Sequence, residues 1–224
     1  MEYPGLQKGF DWGRESLKWI AMASMTIDHI GSVLYPDLIV LRIIGRFAFP
    51  LYGYLLVLGV DNSKSVKEYF VRLFLFALVS QVPYYLAFGY APLEVLNIFF
   101  TLSFGVLIIR SPFLILLFGI ASLIVNFDFG IYGLIMIACI KLLKTGAKYG
   151  LISLVLLSVA SLLLWDVQIF SLFAIPLIIL HKNGHLKVLG IRERPPYPPW
   201  GRYLYYIYYP LHLTILYMIK TFLA

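Results

Sequence analysis

Nine apolar runs follow one another along this chain, at residues 17–35, 38–60, 69–88, 94–110, 112–126, 129–143, 149–165, 168–181 and 203–222, with little sequence between them. A helix rises about 1.5 Å per residue, so roughly 20 residues cross a hydrocarbon core of about 30 Å. The runs are continuous rather than alternating, the pattern of membrane helices and not of a transmembrane barrel. The expectation is an all-α, polytopic integral membrane protein of about nine transmembrane helices, within a range of seven to ten. Runs 112–126 and 129–143 are short, and their alternative is a single re-entrant hairpin. Composition agrees, because 13% charged residues against 61% hydrophobic leave too little charge to cover a water-soluble surface. The first run is too long for a cleaved signal peptide and carries Asp28 and His29.

The formal charge of +7 is spread between the apolar runs instead of forming one patch, which argues against nucleic acid as a partner. Lysine and arginine favour cytoplasmic loops. With the N-terminus inside, every loop lysine and arginine except Lys220 falls on the cytoplasmic side. This orientation gives a multi-pass protein of the cell (inner) membrane, one transmembrane domain over 1–224. Residues 1–16 form a cytoplasmic N-terminal segment and 182–202 a basic cytoplasmic loop. That loop is proline-rich and reads as an extended, semi-rigid connection. Tyr203, Tyr205, Tyr206, Tyr208 and Tyr209 then read as an interfacial aromatic belt. Cys139 is the only cysteine, so a disulfide or cysteine metal site within the chain is excluded, and no metal is expected.

Ionisable side chains inside a bilayer cost on the order of 2.5–3.5 kcal/mol and tend to mark function. Asp28 lies roughly 10 Å inside the outer end of the first span, and Arg46 roughly 12 Å inside the outer start of the second. At matching depth on adjacent helices they are expected to pair. Gln81, Asn97 and Thr101 fall in the same outer half and His212 near the middle of the last run. One polar layer therefore collects Asp28, His29, Arg42, Arg46, Gln81, Asn97, Thr101 and His212. Each also has a plain structural role open to it. Asp28 and Arg46 can be a packing ion pair; Arg42 and Arg72 can snorkel to the two interfaces. Gln81, Asn97 and Thr101 can join helices, and His181 and His185 can sit in water. His29 and His212 are harder to dismiss, since a neutral histidine in lipid still needs partners. Successive helical residues point about 100° apart, so Asp28 does not orient His29, which faces a partner across the bundle. Pro50, Pro83, Pro176 and Pro210 lie in or near the runs and read as kinks.

Several strings stand out in order: Leu17-Lys18-Trp19-Ile20-Ala21-Met22 leading to Asp28-His29-Ile30-Gly31, and Leu41-Arg42-Ile43-Ile44-Gly45-Arg46-Phe47-Ala48-Phe49-Pro50-Leu51. Tyr69-Phe70-Val71-Arg72-Leu73, Ser80-Gln81-Val82-Pro83-Tyr84 and Leu96-Asn97-Ile98-Phe99-Phe100-Thr101-Leu102 follow, and Tyr208-Tyr209-Pro210-Leu211-His212-Leu213 closes the chain. Over nearly the full length this resembles the TraX family, whose founding member N-acetylates the pilin of a conjugative plasmid. The family looks like a compact relative of membrane acyltransferases that use acetyl-CoA and a membrane-buried histidine.

The resemblance implies transfer of an acetyl group from cytoplasmic acetyl-CoA to an acceptor at or beyond the outer half of the membrane. The acceptor is left open between a protein N-terminus such as a pilin's, a glycan hydroxyl and a lipid headgroup. Such a reaction needs a base for the acceptor and donors for a tetrahedral oxyanion. His29 is the candidate base, with transient acetylation of its ring as a second route. Arg46, Asn97 or His212 would hold the oxyanion, while Asp28 holds Arg46. Arg72, Arg192, Arg194 and Arg202 would suit the phosphates of coenzyme A. Arg42, Gln81 and Thr101 complete the polar layer as substrate or structural residues. The rival expectations are a proton- or substrate-coupled transporter, which buried Asp, His and Arg also suit, and a non-catalytic assembly scaffold.

Overall fold

A computed structural model describes residues 11–122, 124–163, 167–186 and 203–223. These residues form ten α-helices and two very short strands. Helix α1 (Trp12–Leu34) starts at Asp11, whose carboxylate accepts the Arg14 backbone N–H at 2.9 Å, and stops just before Pro36. The second apolar run is broken into α2 (Ile39–Gly45) and α3 (Ala48–Asn62). Pro50 is the cause: it has no N–H for the carbonyl of Arg46, so the helix must restart with the proline in its first turn, where no donor is required. Ser24 Oγ donates to the Ile44 carbonyl beside the break at 2.7 Å.

Helix α4 (Val66–Phe88) is capped by Ser65, whose hydroxyl accepts from Glu68 N–H at 3.2 Å. It ends at Gly89, where φ of 76° reverses the chain in a conformation that favours glycine. Strand β1 (Val95–Leu96) leads into α5 (Ile98–Arg110) and pairs in parallel with β2 (Asn126–Phe127). Between them lies α6 (Leu114–Ala121), and α7 (Gly130–Thr145) follows β2. With 8 residues, α6 extends only about 12 Å, too little to cross a hydrocarbon core. Run 112–126 is thus a short helix packed against α5 and α7, followed by chain that returns to β1, and not one continuous helix. Helix α8 (Gly150–Ala160) runs into a 3-10 turn at Ser161–Leu163. A second 3-10 turn, Gln168–Phe173, leads into α9 (Ala174–Lys182), and α10 (Leu204–Leu223) closes the described chain.

Each of the nine expected runs contains helix, and the family of helices encloses α3. Leu51, Tyr54, Val57 and Val60 on α3 are almost wholly buried, with α1, α5, α7 and α9 packed around it. Helix α10 lies along α4 and α1, which brings the end of the chain beside its beginning. The outward faces of α4, α8 and α10 carry exposed Leu75, Val79, Leu156, Leu211 and Ile215. Among the described residues two helical stretches are long and apolar enough to cross a membrane, Ile39–Asn62 and Val66–Phe88. The tyrosines at the start of α10 do not form an outward belt. Tyr209 is buried, Tyr206 stacks on Phe76 at 5.1 Å, and the Tyr205 hydroxyl donates to Glu15 at 2.9 Å.

Candidate active site

The polar residues converge where α1, α2, α4 and α10 meet the turn between β2 and α7. Asp28 on α1 accepts from both arginines of the second run. Arg42 reaches its carboxylate at 2.9 Å, and Arg46 closes a second ion pair with the other oxygen. Arg42 therefore does not snorkel outward as its position suggested; a carboxylate one helix away satisfies it inside. The remaining contacts of Arg46 run to the Arg42 carbonyl and to Gln168 Oε1, each at 3.1 Å, with the Phe129 ring centred 5.8 Å away. Gly45 permits this arrangement, because a Cβ there would overlap the Asp28 carboxylate. The expected Asp28–Arg46 pair is present, and Gln168, absent from the expected polar layer, completes it.

His29 points away from Asp28, as the helical geometry requires, and meets His212 of α10. His29 Nδ1 lies 2.7 Å from His212 Nε2, with the two rings within 4° of parallel. The other His212 nitrogen, Nδ1, lies 2.9 Å from the Tyr208 carbonyl. A carbonyl can only accept, so His212 Nδ1 carries the proton and its Nε2 is an acceptor. His29 Nδ1–H is then the donor between the rings, and the lone pair of the neutral His29 ring is on Nε2. That nitrogen has no hydrogen-bond partner among the described residues, and the ring forms part of a cavity wall. Tyr208 is fixed in turn. The Thr26 hydroxyl donates to Met22 O at 2.8 Å, so the Tyr208 hydroxyl, 2.6 Å away, donates to Thr26.

The cavity has a volume of about 120 Å³. Asp28, His29, Arg42, Arg46, Asp128 and Tyr52 line it among aromatic side chains from α3, α4 and α10. His212 is not in its wall but stands behind His29. Asp128 is the second carboxylate of the cavity. Its backbone is held by Thr101 Oγ1, which donates to its carbonyl at 2.5 Å, and by the Leu96 carbonyl, which accepts its N–H at 2.8 Å. Asp128 is absent from the polar layer expected from the sequence, although an acid between two apolar runs, two residues before Gly130, was a usable signal.

Gln81, Asn97 and Thr101 act as joints. Asn97 Oδ1 caps α5 through the Phe99 N–H at 3.0 Å, while its amide donates to the Ala77 carbonyl at 2.7 Å and to Gln81 Oε1 at 2.8 Å. Gln81 Nε2 donates to the Val95 carbonyl at 2.8 Å. With its amide already engaged and away from the cavity wall, Asn97 is not positioned as an oxyanion donor. These three residues instead fix the strand pair that carries Asp128.

A second, larger cavity of about 330 Å³ opens at the end of the bundle where α1 begins. Arg72 lines it together with Arg14 and Lys18. Arg72 does not snorkel; its Nε donates to the Tyr206 hydroxyl at 3.4 Å, and its guanidinium lies 5.2 Å from the Tyr69 ring centre. His181 is not solvated: Nδ1 meets the Tyr54 hydroxyl at 2.9 Å and Nε2 meets Asp11 at 3.3 Å. Arg192, Arg194 and Arg202 lie outside the described residues.

No solved structure matches this chain. A curated relative in Dichelobacter nodosus, described as a probable fimbrial assembly protein FimC, is 29% identical over 97% of this chain and all of its own length. A segment of 39 residues, 17% of this chain, is 54% identical to 16% of an uncharacterised protein of Rickettsia prowazekii. The family model described as TraX protein matches residues 13–220, which takes in both cavities, the histidine pair and the arginine cluster. By that match, running from the start of α1 almost to the end of α10, the chain belongs to the TraX family.

Proposed function

We propose that this protein is a multi-pass membrane acetyltransferase, with the start of α1 on the cytoplasmic side and the His29 cavity in the outer half of the membrane. The observation that carries the reading is His29 in the wall of a polar cavity, with Nδ1 tied through His212 to the Tyr208 carbonyl and Nε2 without a partner among the described residues. A base needs its lone pair aimed at the substrate and its other nitrogen fixed by a partner. The outward apolar faces and the two long apolar helices support the membrane setting.

In the proposed reaction an acceptor amine or hydroxyl gives its proton to His29 Nε2 and attacks the acetyl carbonyl of a thioester. The resulting oxyanion lies within reach of the guanidinium N–H groups of Arg46 and Arg42 that Asp28 does not occupy. When the intermediate collapses, the carbon–sulfur bond breaks, the acyl–acceptor bond remains, and the thiolate takes up the proton from His29. Acetyl-CoA is the proposed donor, its phosphates falling to Arg72 and to Arg192, Arg194 and Arg202 of the basic segment. The fimbrial name of the Dichelobacter relative makes a pilus-subunit N-terminus the first acceptor to test.

The test uses purified protein in lipid nanodiscs with acetyl-CoA and a panel of amine and hydroxyl acceptors, following free thiol and acetylated product together. Thiol release matched by acetylated product, and lost in folded His29→Ala, is expected; general-base assistance is typically worth about 10²–10⁴-fold. Normal turnover by folded His29→Ala removes His29 from the chemistry. Gradient-driven solute uptake without thiol release would replace the reading with a transporter.

A further inference from the structure

The cavity at the start of α1 holds more positive charge than its own carboxylates balance. Lys18 is paired with Glu15 at 2.5 Å and lies 4.9 Å from the centre of the Tyr205 ring. Arg14 and Arg72 have no carboxylate partner among the described residues. Arg14 Nε is buried without a hydrogen-bond acceptor, although it is a charged donor that requires one. Arg72 is held between Tyr69 and Tyr206, so its guanidinium is pre-oriented by aromatic faces rather than neutralised by an acid. Two guanidinium groups that no described carboxylate neutralises, both lining a cavity of about 330 Å³, are suited to a ligand that carries phosphates.

Tyr52 of α3 lines both this cavity and the one around His29. Its ring stands as the partition between the two spaces, and its hydroxyl has no hydrogen-bond partner among the described residues. Lys18 and His29 lie on one face of α1, three turns and about 16 Å apart. A ligand anchored by phosphates at Arg14 and Arg72 must therefore be extended and narrow to bring a reacting group to His29.

We infer that Arg14 and Arg72 form a phosphate-anchoring subsite for an acyl thioester donor whose slender arm threads past Tyr52 to His29. This rests on the acetyl-transfer reading for the identity of the arm's cargo, and on the cavity itself for the anchor. Arg14, absent from the residues that the sequence selected, becomes the partner of Arg72.

Binding of coenzyme A, which has no acetyl group to transfer, is measured by calorimetry on the full chain in nanodiscs. Arg14→Gln and Arg72→Gln are each expected to weaken it on the order of tenfold or more, and inorganic pyrophosphate to compete with it. Arg72→Lys, which keeps the charge, should retain most of the affinity and shows that a loss in Arg72→Gln is not misfolding. Tyr52→Trp should still bind coenzyme A through its phosphates yet lose acetyl transfer, because the anchor is intact and the passage is filled. Unchanged affinity in both glutamine variants, or no binding by the wild type, overturns the subsite even if acetyl transfer proceeds. Binding that depends on both arginines without acetyl transfer to any acceptor leaves the subsite standing and removes the acetyl-transfer reading.

Discussion

Replacing His212 with phenylalanine tests whether the second histidine sets the working form of the first. In the wild type, His29 Nδ1–H has a buried acceptor at 2.7 Å. The opposite tautomer would put two lone pairs against each other there and forfeit that bond. Leaving a buried polar group unsatisfied costs about 1–3 kcal/mol, and each 1.36 kcal/mol is tenfold, so the pairing favours the open Nε2 lone pair by roughly 5- to 150-fold. His212→Phe removes the preference while keeping a ring in the same buried place. Losing the tautomer preference alone only halves the competent population, but the acceptor for the N–H of the imidazolium that forms as His29 takes the proton is lost as well, at about 1.5–3 kcal/mol. The expected result is a fall in kcat of about 10–100-fold, with KM for the donor unchanged, because the donor's anchor is at the other cavity. Thermal melting should show a loss of about 1–3 kcal/mol, too little to explain the rate. His212→Gln offers an amide oxygen to the same N–H and should recover part of the activity. Steady-state thiol release on matched folded fractions is the assay. A folded His212→Phe protein with wild-type kcat would refute the relay.

Asp28→Asn should lower folded yield more than Arg46→Gln does, because it strands two arginines, whereas Arg46→Gln leaves Asp28 paired with Arg42; breaking a buried pair costs about 3–5 kcal/mol. The Asp28→Asn/Arg46→Gln double variant should recover part of the loss, and strictly additive losses by melting would deny the contact. Gly45→Ala should destabilise by about 1–3 kcal/mol, since its methyl group would displace the Asp28 carboxylate; an unchanged melting temperature would show that α1 and α2 are more loosely apposed than this. For topology, cysteine reporters at Ser63 and Lys144, the end where Asp61 pairs with Lys141 and Lys144, should label from the cytoplasm, and one at Leu93 from the other side. Labelling of Ser63 and Leu93 from one side would end the proposed orientation.

The order of helices was legible in the sequence because apolar length, proline and capping residues act within a few positions of themselves. Asp28 with Arg46 was legible for a related reason: a short hairpin puts equal distances from one turn at equal depth. The same local logic turned His29 away from Asp28 but could not name what it would meet. His212 lies 183 residues later, and only the packing of α10 against α1 and α4 brings it to Nδ1. Tertiary structure also decided the direction of Arg42 and Arg72, whose long side chains turn inward because Asp28 and two tyrosines wait there. Asp128 and Gln168 enter through turns, where no periodicity marks a face, and Arg14 was one more positive charge until a cavity formed over it. A sequence fixes which residues are costly to bury; which of them are left unsatisfied, and so free to act, depends on where the other helices come to rest.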